Sequence, residues 1–254
     1  MSLPPSNDNL ILEICVDTLE GAWTAAECGA DRIELCAALG DGGLTPSAGM
    51  MSAASKLPVD VYAMIRPRAG DFYFSDAEKA LMLRDIQMAE SAGLEGVVIG
   101  AVTERRELDR DFLAAAIEST TLPVTLHRAI DTVKDYSIAV ETAIELGFER
   151  ILSSGQATTA DLGRDALAAA VKQAAGRISI MAGSGVSAAS AERLLLHAGV
   201  RELHASCASY VDAPSPDALE NKLGFVAKTG VRSTDAKLVR ALRDAMDKYL
   251  EAAA

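Results

Sequence analysis

Apolar residues along the chain alternate between two patterns. Short, nearly continuous aliphatic and β-branched runs occur at residues 11–16, 32–36, 59–65, 96–100, 124–127, 150–153, 178–182 and 201–204. Runs of that length and continuity suit strands covered on both faces. Between them lie longer stretches rich in Ala, Leu and Glu, at 19–29, 77–92, 111–119, 137–146, 162–174 and 188–196, with a last one at 235–250. The alternation predicts parallel strands joined by helices. Gly29, Gly93, Gly147 and Gly199 each sit at the end of a helical stretch, where a left-handed residue closes a helix. Eight strands in 254 residues point to one (β/α)8 TIM barrel, a fold of about 250 residues. The alternative is an open doubly wound sheet. It lacks support because no GxGxxG follows the first strand. The predicted organisation is a single barrel domain over 10–254, preceded by a polar, Pro-containing lead-in at 1–9 that reads as disordered.

Composition narrows the function classes. Hydrophobic residues make up 50% and aromatics only 4%, so the core is aliphatic. A net charge of −12 disfavours general binding to nucleic acid. A local basic pocket for one small anion stays open. No apolar run reaches the ~18 residues of a membrane helix, and the start has no signal-peptide pattern. The expectation is a cytoplasmic protein. Four cysteines, Cys15, Cys28, Cys36 and Cys207, are too few for a disulfide scaffold and form no CxxC zinc pattern.

In a barrel the working face lies at the carboxyl ends of the strands, and unusual polar residues gather there. The first two strands end in the same pattern, Glu13-Ile14-Cys15 and Glu34-Leu35-Cys36. Residues two apart share a strand face, so two carboxylates and two thiols are expected close together if that face is the interior. Arg66 and Arg68 follow the third strand and suit a carboxylate or phosphate, or form ion bridges to Glu13 and Glu34. Asp71 follows in the same loop. Thr45-Pro46 reads as a helix start, with Thr45 as cap and Pro46 at the first helical position. The fifth strand ends in His127-Arg128, with Asp131 beyond. After the sixth stand Ser153 and Ser154. After the seventh, Gly183-Ser184-Gly185 opens a helix and reads as a phosphate cradle. The eighth places Glu202, His204 and Ser206 on one face. His197, at a helix end, reads as surface or packing.

The blocks "LEICVDTLEGAWTAAECGADRIELCAALGDGGLTPS", "MIRPRAGDFYFS", "LHRAID", "RILSSG", "GSGV" and "ELHAS" run in order over about residues 10–210. Together they resemble the CutC family, named for copper homeostasis. The resemblance implies a (β/α)8 barrel, a cytosolic location, a role in handling copper, and often a homodimer. Two places depart from the family's pattern. Ala182-Gly183-Ser184 stands where Gly-Gly-Gly is usual, and Arg105-Arg106 where a Gly is common. Cu(I) is soft and favours thiolates, so Cys15 and Cys36 are the expected ligands, although Glu13 and Glu34 would raise their pKa values. The second functional reading is a barrel enzyme for a small anionic, phosphorylated or sugar-like substrate. There Glu13, Glu34, His127 and Asp71 would carry general acid/base chemistry. Arg66, Arg68, Arg128, Asp131, Ser154, Gly183, Ser184, Gly185, His204 and Ser206 would hold the substrate. A third reading is a module that binds the same ligand without turning it over.

Overall fold

The computed structural model describes residues 10–211, 219–224 and 231–253. The expected lead-in at 1–9 lies outside them. Eight strands alternate with helices: β1 (Ile11–Val16), α1 (Leu19–Glu27), β2 (Arg32–Leu35), α2 (Ala48–Ala54), β3 (Asp60–Met64), α3 (Asp76–Ser91), β4 (Gly96–Ile99), α4 (Arg110–Glu118), β5 (Val124–Leu126), α5 (Tyr136–Leu146), β6 (Arg150–Ser153), α6 (Arg164–Ala174), β7 (Ser179–Gly183), α7 (Ala188–Arg193) and β8 (Glu202–Ala205). All neighbouring pairs are parallel. β1 pairs with both β2 and β8, so the sheet closes in sequence order and no edge remains. That closure excludes the open doubly wound sheet.

Local signals account for the helix ends. Thr18 caps α1 by accepting the Gly21 N–H. Ser75 and Glu78 form a reciprocal capping box at the start of α3, which satisfies two backbone N–H groups at once. α5 ends on Gly147 at φ 88°. The 42–47 loop departs from expectation. Ser47, not Thr45, caps the helix that follows. The Thr45 hydroxyl instead accepts from Arg66 N–H and donates to Arg66 O. It clips the loop to the end of β3.

After β8 the chain adds elements that lack an obvious hydrophobic period: β9 (Ala208–Val211), α8 (Leu219–Lys222) and β10 (Val231–Thr234), with β9 and β10 antiparallel. The closing helix α9 (Ala236–Ala253) buries Val239, Leu242 and Met246 and packs on α7. Among the described residues, no helix is long and apolar enough to cross a membrane.

Strand parity divides the core. Leu12, Ile14 and Val16 of β1 join the large aliphatic cluster under the helices. Glu13 and Cys15 point the other way, into the barrel. The lower interior is charged, which is uncommon for a layer usually filled by Val, Ile and Leu. Arg32 reaches Glu13 and Glu202 at 2.5 Å each. Arg150 reaches Glu202 at 2.7 Å and Glu149 at 2.8 Å. Both guanidinium groups stack on the Tyr62 ring, at 5.1 and 5.3 Å. Each buried charge therefore meets an opposite one, as burial requires.

Candidate functional site

Above this ionic layer the barrel opens into a cavity of about 270 Å³. Its wall includes Cys15, Glu34, Met64, Arg66, His127 and His204 from the strand ends. Arg128, Ser184, Gly185, Ser206 and Arg232 complete the rim.

One side of the cavity is a tightly bonded group. His204 Nδ1 lies 2.7 Å from Glu13 Oε1, and its Nε2 lies 3.7 Å from Glu34 Oε2. Glu13 is fully buried beneath the cavity and is shared between Arg32 and His204. Burial alone would raise its pKa, but Arg32 and His204 prevail and hold it well below the usual carboxylate range. Burial opposes a charge on His204. The carboxylates of Glu34 and Glu13, together with Cys15, outweigh burial and raise its pKa well above the ordinary value. Glu34 is pushed up to about 7 by burial, against the pull of His204. Ligand atoms of Cys15, Glu34 and His204 all lie within 4.8 Å of one another.

Cys36 does not join that group. Its Sγ donates to Glu34 Oε2 at 3.5 Å, and it packs with Tyr62, Met64 and Val98. Burial and the neighbouring Glu34 push its thiol pKa well up. The two carboxylates and two thiols do lie close together, but the three ligand atoms within reach of one ion belong to Cys15, Glu34 and His204, with Cys36 touching Glu34 beside them.

The opposite side is built on His127, Phe72 and Arg66. His127 lies just past β5, where it caps a single turn at residues 128–132. Its Nδ1 accepts the Ala129 N–H at 3.1 Å. An accepting Nδ1 leaves the proton on Nε2. Burial and the Arg66 charge depress its pKa to about 3, so the ring is a neutral donor. Gly100 makes room for it, because a Cβ there would stand 2.6 Å from the ring. Phe72 packs against both polar groups, its ring centroid 4.9 Å from that of His127 and 5.0 Å from the Arg66 guanidinium carbon.

Neither Arg66 nor Arg68 bridges to Glu13 or Glu34, contrary to expectation. Arg32 and His204 already occupy Glu13. Arg66 donates to the carbonyls of Asp41, Gly43 and Gly70. Arg68 pairs with Glu78 at 2.6 Å and Asp71 at 3.0 Å outside the cavity. Asp71 is mostly exposed there. Glu34's near neighbour is His204 rather than His127. Asp131 lies behind the rim, accepting from Ser153, Ser154 and Gln156 and pairing with Arg128 at 2.9 Å. Ser154 also donates to Ala157 O. This cluster orients Arg128, which does line the cavity.

The glycine-rich loop after β7 has a packing explanation. A Cβ at Gly183 would stand 2.4 Å from Leu152, and one at Gly185, which has φ 67°, would stand 2.9 Å from Thr159. Ser184 donates to Thr158 O, and the Ser187 N–H is bonded to Ser190. The helix that follows has six residues. These features form a tight turn whose Ser184, Gly185 and Val186 line the cavity. His197 is exposed, as expected.

Sequence reasoning passed over Arg32, Arg150 and Arg232. For the first two the signal was parity: Arg32 shares its inward file with Glu34. Arg232 arrives on β10, where exposed and half-buried residues alternate over four positions.

The CutC family profile matches residues 10–209. The chain belongs to the CutC family. A CutC family protein of Sinorhizobium medicae strain WSM419 is 47% identical over 241 residues, covering 94% of this chain and 97% of the relative. A crystal structure of CutC from Streptococcus agalactiae, whose name assigns it to copper homeostasis, is 30% identical with a TM-score of 0.74. It covers 78% of this CutC chain and 98% of its own. Thiamine phosphate pyrophosphorylase from Pyrococcus furiosus, 15% identical with a TM-score of 0.59, covers 96% of this chain and 98% of its own and shares the barrel fold alone.

Proposed function

We propose that this CutC-family chain binds a copper ion, as Cu(I), through Cys15, His204 and Glu34 in the barrel mouth. The observation that carries the proposal is the grouping of those three ligand atoms within 4.8 Å. Glu13 strengthens the reading. It holds His204 Nδ1 at 2.7 Å, which turns Nε2 toward Cys15 and Glu34. A buried carboxylate on the far nitrogen is the usual support for a metal-binding imidazole. Thiolate and imidazole suit Cu(I), and the copper homeostasis name of the Streptococcus agalactiae relative agrees. Cu(I) arriving here would displace the extra proton on His204.

The test is a titration of reduced protein with Cu(I) against a competing chelator. Cys15→Ser and His204→Gln are expected to weaken binding by at least about 10–100-fold, the loss typical of even outer partners, and Glu13→Gln by about that amount. Cys36→Ser should bind nearly as the wild type does. Equal affinities for wild type and Cys15→Ser would end this reading.

A further inference from the structure

Among the described residues, four buried side-chain polar atoms lack a hydrogen-bond partner: Glu34 Oε1, Arg66 Nε, His127 Nε2 and Arg243 Nε. Three of the four belong to residues on the wall of one cavity. Native proteins rarely leave such atoms unpaired, because each one costs its lost hydration. Their concentration at one place points to a molecule that completes them.

Their chemistry specifies that molecule. His127 Nδ1 is an acceptor from Ala129, so Nε2–H is a donor. Arg66 Nε–H is a second donor, and Glu34 Oε1 accepts. Arg66 keeps a full positive charge near the cavity. Its three bonds go to carbonyl oxygens, and none of them goes to a carboxylate. Phe72 packs against both residues and gives a flat apolar face beside them. A cavity of about 270 Å³ falls just below the range for drug-sized ligands, which is about 300–1,000 Å³. The ligand must be small and anionic, with acceptors for two N–H groups and one hydroxyl to donate.

We infer that the barrel mouth binds a small hydroxycarboxylate. Its carboxylate accepts from Arg66 Nε–H and His127 Nε2–H, and its hydroxyl donates to Glu34 Oε1. The site stands on Arg66, Phe72 and His127, shares Glu34 and the cavity with the proposed copper site, and needs no metal.

The experiment is calorimetric titration of chelator-treated, metal-free protein with glycerate, lactate and malate. Acetate, which lacks the hydroxyl, and glycerol, which lacks the carboxylate, are the controls. At least one hydroxycarboxylate is expected to bind, with acetate about tenfold or more weaker, the usual worth of a hydrogen bond to a charged group, and with no measurable heat from glycerol. His127→Asn keeps an acceptor for the Ala129 N–H but has no Nε2. It should lose about tenfold or more in affinity while keeping the wild-type circular dichroism spectrum. Arg66→Lys should lose as much or more. Absence of binding by all three acids at millimolar concentration overturns the inference. So does His127→Asn binding as tightly as the wild type. Because no copper is present, these results stand apart from the Cu(I) titration. Failure of either experiment leaves the other reading intact.

Discussion

His127 carries a testable consequence of its burial. The unfolded chain takes up a proton on this residue near 6.5, whereas the folded ring stays neutral to about 3. Protons therefore favour the unfolded state across that interval. The folded state is fully favoured above 6.5 and loses about 1.4 kcal/mol per pH unit as pH falls toward 3. His127→Asn has no such proton to exclude. Urea denaturation should therefore show the stability difference between wild type and variant shifting against the wild type by about 2 kcal/mol between pH 6.5 and 5. A difference that stays constant with pH would mean that the folded ring accepts the proton. A neutral donor ring suits a ligand oxygen, so the burial that makes acid costly also prepares the cavity.

At the level of elements, several turns use residues other than glycine in left-handed conformations. α6 ends on Ala175 at φ 48°, whereas α5 ends on Gly147 at φ 88°. An L-residue pays about 1–2 kcal/mol to sit there. Ala175 is exposed, so no packing is lost on shortening it. Ala175→Gly is expected to stabilise the protein by about 0.5–1 kcal/mol after the entropy cost of glycine. Gly147→Ala should move stability the other way. Chemical denaturation midpoints measure both changes, and a destabilised Ala175→Gly variant would contradict the cap argument. Arg106 at φ 59° and Ser184 at φ 82° stand in the same region of backbone space. These are the positions where the resemblance flagged departures from glycine. The turns keep their left-handed shape, and each side chain finds a carbonyl: Arg106 bonds to Thr132 O and Ser184 to Thr158 O.

Across the whole molecule, the interior is organised as an ionic floor beneath a ligand-sized mouth. Arg32 joins Glu13 of β1 to Glu202 of β8, the two strands whose pairing closes the barrel. Removing one partner of a buried ion pair strands the other charge, at a cost of about 3–5 kcal/mol. Arg32→Met is expected to destabilise by that amount in guanidinium titration. Arg32→Met combined with Glu13→Gln should recover part of the loss, because the two residues are coupled. A single variant within about 1 kcal/mol of wild type would show that His204 and Arg150 suffice to neutralise the floor. The same floor holds His204 in place through Glu13, so damage to it should reach the mouth above.

Periodicity alone revealed the eight strands, the helices between them and the barrel, because runs of aliphatic residues at strand and helix spacing leave few ways to bury the core. The local motifs also placed Glu34, Arg66, His127 and His204 at strand ends, which a parallel barrel gathers on one rim. Pairing was beyond reach. Cys15 and Cys36 carry the same Glu-x-Cys motif, yet one meets His204 while the other packs against Tyr62 and Met64. That outcome depends on the register of β1 against β8 and of β2 against β3. The two arginines next to the third strand were natural partners for Glu13, but Arg32, two residues before Glu34, reached it first. Distances between side chains on different strands come from closure of the sheet, and a linear pattern holds no record of them.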